Sequence, residues 1–244
     1  MKKIIGITGG VGSGKSTILN FLEKEYGARI LMADKIGHEA FEKNTNTYKK
    51  IAEHFGNEIL DGQDEVDHVK LAAIIFKNEI EKEYLNNIIH PFVLDRIKHE
   101  IEKWNETSTS NNKDIVAASK ESESTNKSTE TDKPGNISEK KDKKQESINL
   151  LVIETALMFE TGCDKLCDEV WGVITDTDIR IKRLMKDRGY TEEKARSIIR
   201  TQLSDEALKE KCTEIIINNT TISNTKNQIK KLFDSCKKTR KDPQ

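Results

Sequence analysis

The segment that most constrains this chain is Gly9-Gly10-Val11-Gly12-Ser13-Gly14-Lys15-Ser16-Thr17, which follows directly on the apolar stretch Lys3-Ile4-Ile5-Gly6-Ile7-Thr8. Glycines let successive backbone N–H groups converge without Cβ atoms in the way, and the lysine adds a mobile positive charge. The spacing is GxxxxGK(S/T), a loop that cradles a polyphosphate, with the Ser16 hydroxyl placed to join a Mg²⁺ shell. The residues before it read as a short buried strand, and Ile18, Leu19 and Leu22 give the residues after it the apolar stripe of a helix. Strand, loop and helix in this order imply ATP or GTP as ligand, gripped by Gly10, Val11, Gly12, Ser13, Gly14, Lys15, Ser16 and Thr17.

Strands are predicted at about 3–7, 29–32, 148–153, 170–174 and 215–217, with helices between them. That alternation predicts a five-stranded parallel α/β sheet flanked by helices, with ligands at the strands' carboxyl ends. Ile36 to Phe55 and Leu71 to Trp104 read as largely helical, Asp61-Gly62 marks a turn, and His90-Pro91 predicts a boundary at which Pro91 opens a further helix. A charged helix runs from about Asp178 to Arg188, another from Thr191 to about Leu203, and an amphipathic helix from Asn224 to Lys238 closes the fold. Residues 105–147 carry Ser, Thr, Asn, Lys, Glu and Asp, no aromatic residue and only scattered aliphatics. They cannot form a core, which predicts a disordered, low-complexity insert, with a regulatory or docking segment as the other reading.

The 41 Lys and Arg residues nearly balance the 42 Asp and Glu, so a formal charge of -1 gives no general attraction to nucleic acid or to an anionic membrane. No stretch approaches the ~20 apolar residues of a membrane span, and a strand begins within a few residues of Met1, leaving no room for a signal peptide. The expectation is a cytoplasmic protein with no nucleic-acid or membrane partner, and nothing calls for an obligatory protein partner. Cys163, Cys167, Cys212 and Cys236 lack a zinc-type pair of pairs and are expected as free thiols, with Cys163 and Cys167 a weak metal candidate.

A phosphate loop does not say where the phosphoryl group goes. Asp34 stands at the carboxyl end of the second strand, beside the loop, where a carboxylate can take a proton from an attacking hydroxyl, an effect worth roughly 10²- to 10⁴-fold. The same position suits the cap of a helix beginning near Lys35, and the residues alone leave both readings open. Glu154, just past the third strand, can hold Mg²⁺ through water. The helix near 181–188 is dense in Arg180, Lys182, Arg183, Lys186 and Arg188. Arg183 and Arg188 are candidates for a lid that closes over a triphosphate and excludes water, the alternative being a solvated helix face. Among the histidines, His90 stands out because Pro91 fixes the chain beside it.

These residues resemble the dephospho-coenzyme A kinase family. The resemblance runs from Ile5 through Thr17 and continues in order through Ala33-Asp34, His54-Phe55-Gly56, Leu71, Ile75-Phe76 and His90-Pro91. It resumes at Leu157-Met158-Phe159-Glu160-Thr161-Gly162, Lys182-Arg183-Leu184-Met185, Gln202 and Asn218-Asn219, sparing only residues 105–147 and the last few. It implies a phosphate-loop kinase fold with a core at 1–35 and 148–240, a lid at about 178–203 and a helical acceptor-binding region at 36–104. It also implies transfer of the ATP γ-phosphoryl group to the ribose 3′-hydroxyl of dephospho-coenzyme A, with Mg²⁺ as cofactor. Asp34 then matches the base, Lys15 and Ser16 the phosphate and Mg²⁺ contacts, Arg183 the lid, and Asn218 a residue near the ATP base. His90 and Arg188 join Asp34 as acceptor contacts.

The chain departs from the family pattern in places. Met32 stands where Asp is usual, His68 where Arg is common, Ala156 where Pro is usual, and Asp187-Arg188 where Arg-Asp is usual, displacing the second guanidinium by one residue. The alternatives are a kinase for another nucleotide or nucleoside, or an ATPase or switch, although no (N/T)KxD base-reading motif is present.

Overall fold

The computed structural model describes the backbone at residues 2–120 and 149–238, and side chains at 2–106 and 149–235. Most of the predicted insert, and the side chain of Cys236, therefore lie outside the described residues.

Five strands, β1 (Lys2–Thr8), β2 (Arg29–Met32), β3 (Asn149–Glu154), β4 (Glu169–Ile174) and β5 (Glu214–Ile217), form one sheet in the order β2-β3-β1-β4-β5. Every pairing is parallel, with Gly6 opposite Ile153 on one side of β1 and Ile7 opposite Trp171 on the other. Parallel strands buried on both faces need near-continuous apolar runs, which Leu150 to Ile153 and Val170 to Ile174 supply. The chain leaves β1 toward one edge, returns through β3, and crosses to the other edge through β4. The crevice at the carboxyl ends thus opens beside the central strand, where the glycine loop begins.

Alternate strand residues feed two cores. Ile5, Ile7, Leu150, Val152, Trp171, Val173 and Ile216 pack against α1 (Lys15–Tyr26) and α9 (Ile222–Lys238). On the other face Leu31, Leu151, Ile153 and Val170 pack against α2 (Ala33–Glu39) and α5 (Glu79–Lys120). Helix α1 ends at Gly27 in the left-handed region (φ 63°), where the N–H groups of Gly27 and Ala28 return to Glu23 and Leu22 carbonyls. Arg29 then starts β2 one residue after the closed turn, which aims that strand back along the sheet.

Helix α5 corrects two expectations. It runs straight through Pro91, so His90-Pro91 is not a boundary. An interior proline costs ~3 kcal/mol. Val93, Ile97 and Trp104 beyond it are all at least 95% buried, and burying a large apolar side chain contributes about 1.5–3 kcal/mol each, enough to outweigh the lost backbone bond. The helix also continues to Lys120, past the compositional break at 105. Ser, Thr and Asn each cost only tenths of a kcal/mol relative to alanine, too little to halt a helix already nucleated.

Between α2 and α5 lie α3 (Asn46–Phe55) and α4 (His68–Ile75), capped by Thr45 and Asp67 side chains. With the start of α5 they enclose a separate small core of Ile51, Phe55, Ile59, Val66, Leu71 and Leu85. The helical region is thus independent only over its outer part, because Val93, Ile97 and Trp104 belong to the sheet's core. Asp61-Gly62 forms the expected turn, inside a loop closed by the Leu60–Val66 bridge. Between β4 and β5, α6 (Thr177–Arg188) and α7 (Glu192–Arg200) pair through Ile181, Leu184 and Ala195, and a short α8 (Asp205–Lys211) that periodicity did not reveal leads into β5. No described helix is long and apolar enough to cross a membrane.

Candidate active site

The carbonyls of the loop between β1 and α1 are tied down by side chains. The Gly9 carbonyl accepts from Lys15 Nζ (2.7 Å), Val11 from Arg180 Nε (2.9 Å), Gly12 from Arg183 Nη1 (3.1 Å), and Ser13 from both Thr175 Oγ1 (2.9 Å) and Asn218 Nδ2 (2.8 Å). A peptide whose carbonyl is tied outward turns its N–H the other way. Gly12 (φ 75°) and Gly14 (φ 92°) sit in the left-handed region that this path requires. Gly14 is also the N-cap of α1 and contributes no side-chain cap; Thr17 N–H turns back to the Gly14 carbonyl (3.1 Å), and the Lys15 and Ser16 N–H groups that open this twelve-residue helix remain for an anion.

Those donors open on a cleft of about 770 Å³. Gly10, Val11, Gly12, Gly14, Lys15, Ser16 and Thr17 line it, together with Asp34, Glu154, Arg183, Arg188 and Asn218. The fold therefore gathers nearly all of the expected site residues from five separate stretches of the chain. Asp34 lies in the first turn of α2, whose N-cap is Met32 and which has no side-chain cap. Of the two readings open in the sequence, capping is set aside and the carboxylate is left in the cleft.

Lys15, Glu154 and Asp34 form one electrostatic group. Lys15 Nζ stands 3.6 Å from Glu154 Oε1. Burial pushes the Lys15 ammonium below its ordinary pKa, opposed by Glu154 and Asp34. Burial likewise pushes Glu154 up, opposed by Lys15 and reinforced by Asp34. A site that draws in an ammonium and two carboxylates at the mouth of an anion cradle is arranged for charge that arrives with a ligand. Ser16 and the two carboxylates offer hard oxygen donors of the kind Mg²⁺ takes beside phosphates. Among the described residues no group of three His, Cys, Asp or Glu side chains could hold a metal.

Four expectations change. His90 lines neither this cleft nor the adjoining cavity of about 240 Å³; it sits half-buried in α5, lowered in pKa by burial and opposed by Glu160, which does line the smaller cavity. The continuity of α5 through Pro91 is what keeps it there. Ser13 is buried beneath the loop, its carbonyl pinned and its hydroxyl without a partner among the described residues. Asn218 reaches the cleft, but its amide is committed to Ser13 and to the Thr225 hydroxyl (2.9 Å), so it shapes the loop instead of standing free to read a base. The Cys163–Cys167 pair is a turn contact, Cys167 Sγ donating to the Cys163 carbonyl (3.3 Å), with burial pushing the Cys167 thiol up to about 12.

The reversed Asp187-Arg188 order still brings both residues to the cleft. Helix α6 ends at Arg188 with Gly189 in the left-handed region, and both side chains of the pair line the cleft. What the sequence did not single out is the role of Arg180, Thr175 and Thr225 behind the loop. Arg180 was visible only as one of several charges on a basic helix.

The model of a family described as dephospho-CoA kinase matches residues 3–113 and 134–224, and the interval between them falls in the low-complexity stretch. A dephospho-CoA kinase of Fusobacterium nucleatum is 32% identical over 233 residues, covering 96% of each chain. One from Geobacillus kaustophilus is 30% identical over 229 residues, covering 94% of each. Among solved structures, TT1252 from Thermus thermophilus superposes with a TM-score of 0.68 at 21% identity, covering 96% of this chain and 97% of that one. A dephospho-CoA kinase from Campylobacter jejuni superposes with a TM-score of 0.60 at 20% identity, covering 98% and 99%. These two likenesses bear on the fold, a five-stranded phosphate-loop kinase sheet.

Proposed function

Since the chain belongs to the dephospho-CoA kinase family, we propose that its cleft transfers the γ-phosphoryl group of ATP to the ribose 3′-hydroxyl of dephospho-coenzyme A, giving coenzyme A and ADP. The observation that carries the reading is the convergence of loop, Lys15, Asp34, Arg183 and Arg188 on one cleft. The outward-tied loop directs N–H groups at the β- and γ-phosphates, and Lys15, released from Gly9 and Glu154, follows the migrating group. Asp34 accepts the proton of the 3′-hydroxyl as its oxygen bonds to phosphorus, while the bond to the bridging oxygen breaks and ADP keeps the electron pair. Ser16 would hold Mg²⁺, which when bound neutralises charge between the β- and γ-phosphates. Arg183 and Arg188 meet the equatorial oxygens and keep water out.

The outer helical region, with its own small core, is the acceptor-binding part in this reading. The acceptor is a small molecule drawn from the cytoplasm, and no nucleic acid, membrane or obligatory protein partner enters the reaction. The test is ADP release with MgATP and, in separate reactions, dephospho-coenzyme A, adenosine, pantetheine or no acceptor. Release should accelerate with dephospho-coenzyme A alone. Equal release without any acceptor would make the protein an ATPase.

A further inference from the structure

Arg180 is a buried charged residue that the mechanism above leaves unused. It is 5% exposed and does not line the cleft. Its Nε donates to the Val11 carbonyl (2.9 Å) and its Nη2 to Gln202 Oε1 (2.8 Å), while the same Gln202 oxygen accepts the Val11 N–H (2.8 Å). The two peptide groups that flank Val11 are thus held by two side chains, the Gly10–Val11 N–H by one just past α7 and the Val11–Gly12 carbonyl by one from α6. The Val11 side chain also packs against the Ile181, Leu184 and Ala195 cluster that joins those helices. A Cβ at Gly10 would collide with the guanidinium, so this glycine is required by the arginine behind the loop as well as by any ligand in front of it.

We propose that Arg180, together with Gln202, is a positioning residue that latches the base of the lid to the phosphate loop and fixes the backbone on both sides of Val11 in its ATP-binding orientation. The inference rests on the kinase reading and adds to it. A buried guanidinium is costly to keep and Asp205 is the acidic group that supports it, so its place is explained by what it holds. Arg183 extends the same latch, joining Gly12 and Asn218 carbonyls, but from within the cleft (3.1 and 3.0 Å). The lid is therefore fixed at its first two turns, and closure is left to the end that carries Arg188.

The experiment is calorimetric MgATP binding without acceptor, together with KM values for both substrates, on the full chain and on Arg180→Ala, Arg180→Lys, Gln202→Leu, Gln202→Glu and the double variant Arg180→Ala/Gln202→Leu. Losing a charge-assisted hydrogen bond to the loop should weaken MgATP about tenfold or more in Arg180→Ala and Gln202→Leu, with the acceptor KM unchanged. Because both act on one residue of the loop and bond to each other, the double variant should be no weaker than about twofold below the worse single. Gln202→Glu keeps an acceptor oxygen and should stay near the parent. Should Arg180→Ala fail to fold, Arg180→Lys decides, since a single ammonium cannot reproduce the fork and must still weaken ATP. An Arg180→Ala protein that binds MgATP as well as the parent, or losses that multiply in the double variant, overturns the inference alone. A parent that binds no MgATP overturns it together with the kinase reading.

Discussion

Replacing Lys15 by alanine should lower turnover by about 10²- to 10³-fold, the loss expected when one preorganised charge is removed from a developing phosphoryl transition state. In the protein as it stands the ammonium is parked, donating to the Gly9 carbonyl and paired with Glu154. The other carbonyls of the loop are tied by Arg180, Arg183, Thr175 and Asn218 and do not depend on the lysine. The cradle should therefore survive the substitution. Glu154 will respond differently, because Lys15 is the charge that opposes the upward push of burial on it. In Lys15→Ala its pKa should rise further, so the unpaired buried carboxylate costs stability at neutral and higher pH, and that stability returns as pH falls and the carboxyl takes up a proton. Lys15→Ala/Glu154→Gln should regain that stability without regaining turnover. Stopped-flow turnover and thermal melts across pH separate the two effects, and a double variant with restored turnover would remove Lys15 from the chemistry.

Asp34→Asn should lower kcat by roughly 10²-fold or more and leave MgATP affinity nearly unchanged. The amide keeps the size of the carboxylate and cannot accept the proton of an attacking hydroxyl. The asymmetry between kcat and ATP binding follows from placement: Asp34 is in the first turn of α2, outside the loop and outside the clasp behind it. Removing a negative charge near Lys15 also slightly reduces the repulsion met by an incoming triphosphate, so ATP binding should not weaken. A variant with parental kcat would assign the proton to another acceptor.

Strand positions were legible in the sequence because parallel buried strands write themselves as short apolar runs, and all five were found to within a residue or two. The site was legible where chemistry and position coincide, as at Lys15, Ser16, Asp34 and Arg183, which the fold brings to one cleft. Two kinds of feature were not. The persistence of α5 through Pro91 depends on tertiary burial of Val93, Ile97 and Trp104, which no local propensity encodes. The clasp on Val11 depends on two side chains twenty-two residues apart meeting a third element, so Arg180 reads as one more surface charge until the fold is known. Asn218 shows the reverse case, a residue found correctly at the cleft but engaged in shaping the loop.

The central claim is that this cleft delivers a phosphoryl group to one alcohol of one acceptor. Phosphorus NMR of the product formed from MgATP and dephospho-coenzyme A tests it most directly. The expected product is a new monophosphate ester coupled to the ribose 3′ position, formed in equal amount with ADP. Inorganic phosphate in place of the ester, or an ester at any other hydroxyl, would contradict it.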